Sequence, residues 1–215
     1  MQENIYDENI QTPAQLDQHY VLLKDEKDQL RSTMFPNMEI LNESVAFVSE
    51  KLLHNPKIFV FQKECHQKRD VGFFCDDPNV EGYIYSGQII HSQPCNKTLQ
   101  TLIGYVNNLF GSNFNAILVN RYNFGYDYIG KHSDDERNLC GIHGVVSISY
   151  GAERILRIRD KRICSKKIVC DHIMKHGECV QMYGEFFQRK FTHEIPKQTK
   201  VKESRISFTF RHHNM

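Results

Sequence analysis

Three segments in the first half of the chain carry apolar residues at the three- and four-residue spacing of amphipathic helices. The first begins with Thr12-Pro13, an N-cap followed by proline, and runs to about residue 32. The second ends at Asn55-Pro56, because the residue before proline disfavours helical geometry, and the third stops at Gly111. The apolar positions are Leu16, Tyr20, Leu23 and Leu30, then Leu41, Val45, Val48, Leu52 and Leu53, then Leu99, Leu102, Ile103, Val106 and Leu109. The pattern predicts three helices.

From about residue 115 the pattern changes to short runs rich in branched and aromatic residues, which are typical of strands. The predicted strands are Ala116 to Tyr122, Val145 to Tyr150, Ile155 to Arg159, Ile163 to Val169, Cys179 to Tyr183, Arg189 to His193 and Arg205 to Arg211. In the last of these, polar and apolar residues alternate, so Arg205, Ser207 and Thr209 share one face. The sequence therefore predicts an α+β fold in which a helical layer supports a barrel or sandwich of antiparallel strands.

Composition narrows the class of protein. The 215 residues suit one domain, or one domain with an extension, and 40% hydrophobic with 25% charged residues is ordinary globular composition. A net charge of +1 disfavours a purely electrostatic nucleic-acid binder. The sequence has neither a signal-peptide pattern nor a membrane span, and its seven cysteines follow no repeated spacing, which favours reduced thiols. We expect an intracellular protein of the nucleus or cytoplasm that has no membrane contact and acts as a monomer.

The first candidate for chemistry is His132-Ser133-Asp134. On an extended segment, residues two apart point to the same side, so the imidazole and the carboxylate can reach one metal ion. A distant histidine, His193, would complete a set of two histidines and one carboxylate, which leaves positions on iron(II) open for other ligands. Alone, a His-x-Asp pair also fits a solvated loop histidine beside a run of charges.

Arg205 follows His193 by twelve residues, on the next predicted strand. If both strands belong to one barrel, its guanidinium can enter the cavity that holds the metal. A dicarboxylate that chelates iron at one end needs a cation for its far carboxylate, and arginine binds a carboxylate with two parallel hydrogen bonds. The alternative is an arginine on the surface of a strand.

Several separated motifs occur in an order and spacing that resemble the AlkB family of oxidative nucleic-acid demethylases, and most of all its DNA-repair branch. The motifs are Asn120-x-Tyr122, His132-Ser133-Asp134-Asp135-Glu136, His193 and the segment Arg205 to Arg211, supported by Tyr83 to Gly87 and Ser147 to Ala152. The resemblance covers roughly residues 58 to 212. It implies a double-stranded β-helix (jelly roll) in residues 57–215, with a nucleotide-recognition segment at 57–95 and a helical extension at 1–56.

The resemblance also assigns roles to individual residues. It implies iron ligation by His132, Asp134 and His193, and binding of 2-oxoglutarate by Asn120, Tyr122, Arg205, Thr209 and Arg211. Arg211 would reach the iron-chelating end of 2-oxoglutarate or brace Asp134. Tyr85, Asp135 and Arg159 would contact the alkylated base, with Tyr85 stacking on it. Ser207 departs from the family pattern, which has asparagine two residues after the arginine.

The implied reaction consumes 2-oxoglutarate and O2 at Fe(II) and removes N-methyl groups of the 1-methyladenine and 3-methylcytosine type from DNA or RNA. Its products are formaldehyde, succinate and CO2. Because such bases are cationic, the Asp135 carboxylate would favour them over neutral N6-methyladenine.

Four alternative interpretations accompany this prediction. Cys164, Cys170, His172, His176 and Cys179 could bind zinc in a nucleic-acid-binding module without catalysis. The same iron chemistry could act on RNA or protein. Two basic groups could hold phosphates, namely Lys63, His66, Lys68 and Arg69, and Lys161, Arg162, Lys166 and Lys167. Val60-Phe61 resembles a finger that enters a duplex but is interpreted as core.

Overall fold

The computed structural model describes residues 19–60, 63–136, 139, 141, 143–162 and 167–214. The helices there are α1 (Met38–Ser49), α2 (Lys97–Phe110) and the short α3 (Phe187–Lys190). The first strands are β1 (Tyr20–Asp25), β2 (Asp28–Met34), β3 (Lys57–Val60), β4 (Lys63–His66), β5 (Asp70–Cys75), β6 (Gly82–Tyr85) and β7 (Gln88–Gln93). They continue with β8 (Ala116–Tyr122), β9 (Ile129–His132), β10 (Val145–Gly151), β11 (Arg154–Asp160), β12 (Ile168–Met174), β13 (Glu178–Tyr183), β14 (Phe191–Ile195) and β15 (Arg205–Arg211).

Two sheets form the main body of the fold. The larger has the order β1-β2-β13-β10-β15-β8-β5-β7-β6, and the smaller has the order β12-β11-β14-β9. Neighbouring strands are antiparallel except β5 and β7. One apolar cluster joins the sheets, with Tyr122, Val180 and Met182 from the larger and Leu156 and Ile158 from the smaller. The α+β jelly roll of antiparallel strands is therefore confirmed.

The opposite side of the larger sheet packs against α1 and α2. A second apolar cluster fills this interface. It contains Ile206, Phe208 and Phe210 of β15 and helix residues such as Leu41 and Leu102. Each helix starts where an asparagine side chain, Asn37 or Asn96, accepts a backbone N–H of its first turn. At the end of α2, Gly111 adopts the left-handed conformation, with φ of 58°. The supporting helices are thus confirmed, although α1 ends at Ser49.

The first predicted helix is wrong over residues 20–32. That segment is the hairpin β1–β2, and β2 pairs with β13, which builds it into the larger sheet. In β2, Asp28, Leu30 and Ser32 are buried while their neighbours are more exposed, which is the two-residue period of a strand. The described part of segment 1–56 is therefore a hairpin and one helix. Thr12-Pro13 lies outside the described residues.

The second predicted helix ends early because Leu53 and Val71 exchange backbone hydrogen bonds of 2.8 and 3.0 Å, which draws the chain into a bridge. The strand predicted from Arg189 to His193 starts later than expected, because residues 187–190 form α3 and β14 begins only at Phe191. No helix in the described part of the chain is long and apolar enough to cross a membrane. The five described cysteines are free thiols.

Candidate metal and co-substrate site

Two neighbouring strands of the smaller sheet bring the predicted metal ligands together. His132 ends β9 and pairs in register with His193 of β14, and Asp134 follows two residues after His132. One ligand atom from each residue lies within 4.8 Å of the others, and each histidine Nε2 is 3.8 Å from an Asp134 carboxylate oxygen. Of the described residues, these form the only group of three or more histidine, cysteine or acidic side chains that could hold a metal ion.

Burial sets the protonation states that a metal requires. Burial and the neighbouring His193 lower the pKa of His132 to about 3, and burial also lowers the pKa of His193. Burial alone would raise the pKa of Asp134, but Arg211 and the two histidines outweigh it and lower the pKa to about 2. At neutral pH the site therefore offers two neutral imidazoles and one carboxylate.

Unsatisfied atoms show that this donor set fits a metal ion. Asp134 Oδ2 is buried without a hydrogen-bond partner. His132 Nδ1 bonds to the Gly130 carbonyl at 2.9 Å, which leaves Nε2 for a ligand. Two histidines and one carboxylate on one side are the facial donor set of non-haem iron(II) sites, with positions left open.

Three adjacent strands of the larger sheet form the rest of the cavity. The register places Arg205 opposite Tyr122, Ser207 opposite Asn120 and Ser149, and Thr209 opposite Ser147. Because alternate residues share a face, these polar side chains other than Ser149 line one cavity with the metal ligands, while Phe208 faces the helices. The shared polar face predicted for Arg205, Ser207 and Thr209 is present.

Arg205 is a buried cation with no acidic partner among the described residues. It is 2% exposed, its Nε donates to Ser149 Oγ at 2.8 Å, and its Nη1 has no hydrogen-bond partner. Its guanidinium lies 5.4 Å from the centroid of the Tyr122 ring. Burial lowers the pKa of Arg205 to about 10, so the group stays charged at neutral pH. Such a charge calls for an anionic ligand, and the far carboxylate of a dicarboxylate fits.

Arg211 braces the metal site. Its Nη2 donates to Asp134 Oδ1 at 2.6 Å, while its buried Nε and Nη1 have no partner. Of the two roles considered for Arg211, the geometry supports the bracing of Asp134. Behind the same ligand, the Asp134 backbone N–H donates to Gln188 Oε1 at 3.0 Å, and Ser133 Oγ donates to the Phe191 carbonyl at 2.9 Å.

Tyr85 lies beside the metal ligand His132, although its side chain is not part of the cavity lining. Its ring meets the His132 ring edge to face at 6.3 Å, stacks on Tyr83 at 6.3 Å and lies 5.2 Å from the Arg69 guanidinium. Arg69 is 3% exposed and donates to Asn120 Oδ1 at 2.7 Å. The proposal that Arg69 holds a phosphate therefore fails, because its side chain points inward. The role of Tyr85 in stacking on a base remains a prediction.

The other two predicted base contacts, Asp135 and Arg159, do not line this cavity either. Asp135 is 56% exposed and pairs with Lys161 at 3.4 Å, and it borders a second cavity behind Asp134. Arg159 lies on the outer face of the smaller sheet, where it pairs with Glu194 at 2.8 Å. The base-binding roles of both residues remain predictions.

The sequence motifs assigned no role to Gln188, Tyr83 or Glu136. Tyr83 OH donates to Glu136 Oε1 at 2.9 Å beside the metal ligands. Burial raises the pKa of Glu136 and the pKa of Tyr83. The positive charge of Arg211 partly opposes the rise in both groups. Glu136 was visible in the run after Asp134, whereas no spacing pattern singles out Gln188, which reaches the site from α3.

The described members of the zinc set are used elsewhere. His172 Nε2 bonds to Glu178 Oε1 at 2.6 Å, and His176 Nδ1 accepts the Gly151 N–H at 3.0 Å. Cys179 is fully buried in the cluster beneath the helices, and Cys170 is half-buried on β12. Cys164, Lys166 and Phe61 lie outside the described residues. The described residues give no support to a zinc module.

Comparison with known proteins agrees with this geometry. The family described as "2OG-Fe(II) oxygenase superfamily" matches residues 27–211. The protein named "DNA oxidative demethylase ALKBH2" of Homo sapiens is 32% identical over 134 residues, 60% of this chain and 51% of that protein. Its namesake in Arabidopsis thaliana is 28% identical over 179 residues, 73% of this chain and 56% of that protein. The human "Alpha-ketoglutarate-dependent dioxygenase alkB homolog 3" is 29% identical over 136 residues, 60% and 47% of the two chains.

This chain spans about half the length of the curated relatives that it matches. Among solved structures, the one titled "The structure of OsALKBH1" superposes with a TM-score of 0.57 at 15% identity, over 90% of this chain and 100% of the other. At that identity the likeness extends to the fold alone.

Proposed function

Because the chain belongs to the 2OG-Fe(II) oxygenase superfamily, we propose that it is an iron(II)- and 2-oxoglutarate-dependent dioxygenase that demethylates alkylated nucleic-acid bases. The observation that carries the proposal is a single cavity that holds both a facial His132, Asp134 and His193 set and a buried Arg205 without an acidic partner among the described residues. A structural metal site alone would not explain Arg205, because a buried cation without an acidic partner is costly unless an anionic ligand binds it.

Each part of the cavity then has a task. His132, Asp134 and His193 hold Fe(II), and Arg205 binds the far carboxylate of 2-oxoglutarate, with Thr209, Asn120 and Tyr122 lining its binding space. Arg211 keeps Asp134 ionised and in place. Iron(II), 2-oxoglutarate and O2 together supply the oxidant that hydroxylates an N-methyl carbon, after which formaldehyde leaves and the base is restored. The apolar walls exclude water from this chemistry.

The proposed substrate is a base methylated at N1 of adenine or N3 of cytosine. DNA is the favoured nucleic acid, and RNA is the alternative. Tyr85 offers its face beside His132, and a base in a duplex must leave the stack to reach it. The names of the human and Arabidopsis relatives, which specify DNA demethylation, support DNA. The free thiols support an intracellular site of action, in the nucleus or cytoplasm, and we propose that a monomer suffices.

The test is formaldehyde and succinate release from oligonucleotides that carry 1-methyladenine, 3-methylcytosine or N6-methyladenine, as single strands and duplexes of DNA and RNA. We expect turnover of the two cationic bases by the wild-type protein and none by His132→Ala, Asp134→Ala or His193→Ala. His176→Ala is the matched control, because His176 is an exposed histidine between β12 and β13 that does not line the cavity. Turnover in a folded ligand variant would remove that residue from the iron site. Succinate release that responds to a protein substrate, but to no oligonucleotide, would overturn the substrate class and keep the iron chemistry.

A further inference from the structure

The loop between β8 and β9, residues 123–128, has a fixed conformation. Arg154 is 1% exposed and donates from Nη1 to the Phe124 carbonyl at 3.3 Å and from Nη2 to the Asp127 carbonyl at 2.7 Å. Asp127 Oδ2 accepts the Asn123 N–H at 2.7 Å. The loop is also bonded to the loop between β14 and β15, since Gly125 donates to the Val201 carbonyl and its own carbonyl accepts the Gln198 N–H. A loop held by a buried arginine keeps its shape without a ligand.

This fixed loop exposes two aromatic rings. Phe124 is 57% exposed and Tyr126 is 61% exposed, on either side of the buried Gly125. A single exposed aromatic residue is common on protein surfaces. Two on one rigid loop form a preorganised apolar surface, because little conformational entropy is lost when a ligand covers them.

The surroundings of the rings are basic. Lys68, Lys197, Lys200 and Lys202 are exposed on the segments that contact the loop, against the carboxylates of Asp127 and Glu203. Lys197 Nζ lies 4.7 Å from the Tyr128 ring. The whole chain carries a net charge of only +1, so this is a local excess of positive charge. Aromatic faces among lysines suit a single nucleic-acid strand, whose bases stack and whose phosphates pair with cations.

The loop is connected to Tyr85 through two contacts. The Tyr128 N–H donates to the Lys68 carbonyl at 3.0 Å, and the next residue, Arg69, lies over the ring of Tyr85. The loop then continues directly into β9, which ends at His132. A strand whose target base sits against Tyr85 therefore has its neighbouring nucleotides on this side of the molecule within reach of the loop.

We propose that Phe124 and Tyr126 form a stacking platform for bases that flank the target nucleotide in a single strand. The platform rests on the proposed function and adds a second contact outside the catalytic cavity. It makes the enzyme prefer long single strands over short oligonucleotides. Neither ring lines the metal cavity, so loss of the rings leaves the chemistry of a bound target base intact.

The test compares a methylated trinucleotide with a single strand of about fifteen nucleotides that carries the same methylated base, a length matched to known stacking surfaces. For Phe124→Ala combined with Tyr126→Ala, we expect kcat/KM on the long strand to fall about tenfold or more through KM, because stacking is lost. The value on the trinucleotide should stay within about twofold of wild type, since a trinucleotide barely reaches the loop. The double variant Phe124→Tyr with Tyr126→Phe keeps both aromatic rings, so it should prefer the long strand as the wild-type protein does.

Tyr20→Ala is the matched control, because Tyr20 is an exposed aromatic residue on β1, at the far edge of the larger sheet from β8. Anisotropy of an unmethylated labelled strand measures binding independently of turnover, and the double alanine variant should bind it about tenfold more weakly. Equal loss on both substrate lengths, or binding and turnover as in wild type, would overturn the platform and assign the rings to another partner. Absence of turnover by the wild-type protein with normal strand binding would instead overturn the proposed function.

Discussion

Replacement of Arg205 by methionine separates the stability of the cavity from its function. Methionine keeps most of the apolar length of the side chain and removes the charge. Arg205 is nearly fully buried, its Nη1 is unpaired, and its hydrogen-bond partners among the described residues, Ser149 and Tyr122, are both uncharged. In the ligand-free protein this cation therefore works against folding.

The size of the effect follows from the burial of Arg205. A pKa lowered to about 10 means that the charged form is disfavoured in the fold by about 3 kcal/mol. Binding of a carboxylate to the guanidinium offsets that cost. Loss of one partner of such a desolvated pair typically costs about 3 to 5 kcal/mol, which raises the dissociation constant of 2-oxoglutarate roughly a hundredfold or more.

The assay is urea unfolding of wild type and Arg205→Met, each with and without 2-oxoglutarate in the presence of a divalent metal that does not turn over. Wild type should gain free energy of unfolding when the ligand is added, as mass action requires. Arg205→Met should be at least as stable as wild type without ligand and should gain almost nothing with it. Arg205→Lys keeps the charge but loses the second hydrogen bond, so its gain should be intermediate.

The reasoning would be refuted if Arg205→Met were destabilised by several kcal/mol without ligand, because the cation would then have a structural partner. It would also be refuted if the variant kept the wild-type stabilisation by 2-oxoglutarate, because the far carboxylate would then be bound elsewhere. A loss of turnover alone would decide neither question.

Three further outcomes are expected. Gln188→Ala removes the acceptor for the backbone N–H of the ligand carboxylate and should weaken metal binding about tenfold in equilibrium dialysis, with the melting temperature little changed. Burial alone would raise the pKa of Asp70, but hydrogen bonds from Asn123 and Arg121 outweigh it and lower the pKa. The ionised form of Asp70 therefore stabilises the fold above about pH 4. Asp70→Asn should lower the melting temperature at neutral pH, by a margin that shrinks as the pH falls below that value. Asp135→Ala should reduce the preference for cationic over neutral methylated bases while 2-oxoglutarate decarboxylation without substrate persists; unchanged selectivity would exclude Asp135 from base recognition.

The parts of the fold that the sequence revealed are those whose period is written into neighbouring residues. The alternation in β15 predicted both the strand and its cavity face, and the register with β8 and β10 bears this out. The resemblance to the AlkB family, drawn from ordered motifs, is confirmed by the similarity to ALKBH2 and alkB homolog 3. The structure brings His132, Asp134 and His193 together because β9 and β14 are paired, although 61 positions separate the two histidines.

Long-range pairing explains the failures. Leu23 and Leu30 fit a helical period locally, but β2 has β13 as a partner more than 140 residues away, and pairing with it decides the conformation. Arg69 stood in a basic run and was interpreted as a surface cation, yet its partner Asn120 lies 51 positions further along the chain. Such contacts leave no signal in local spacing, so a single sequence predicts neither the hairpin β1–β2 nor the inward position of Arg69.

Charge balance links the metal site to the co-substrate site. With both imidazoles neutral and Asp134 ionised, the charged residues that line the cavity are one carboxylate and two guanidiniums, those of Arg205 and Arg211. A divalent metal ion alone would add two positive charges to a buried site that already has an excess of one. When the doubly negative 2-oxoglutarate binds as well, the net charge of the cavity returns to an excess of one, whereas the metal ion alone would leave an excess of three positive charges. Each partner must then bind more tightly when the other is present, by the same free energy in both directions. The proposed binding of 2-oxoglutarate by Arg205 on the larger sheet would therefore also strengthen the binding of the metal ion by its ligands on the smaller sheet.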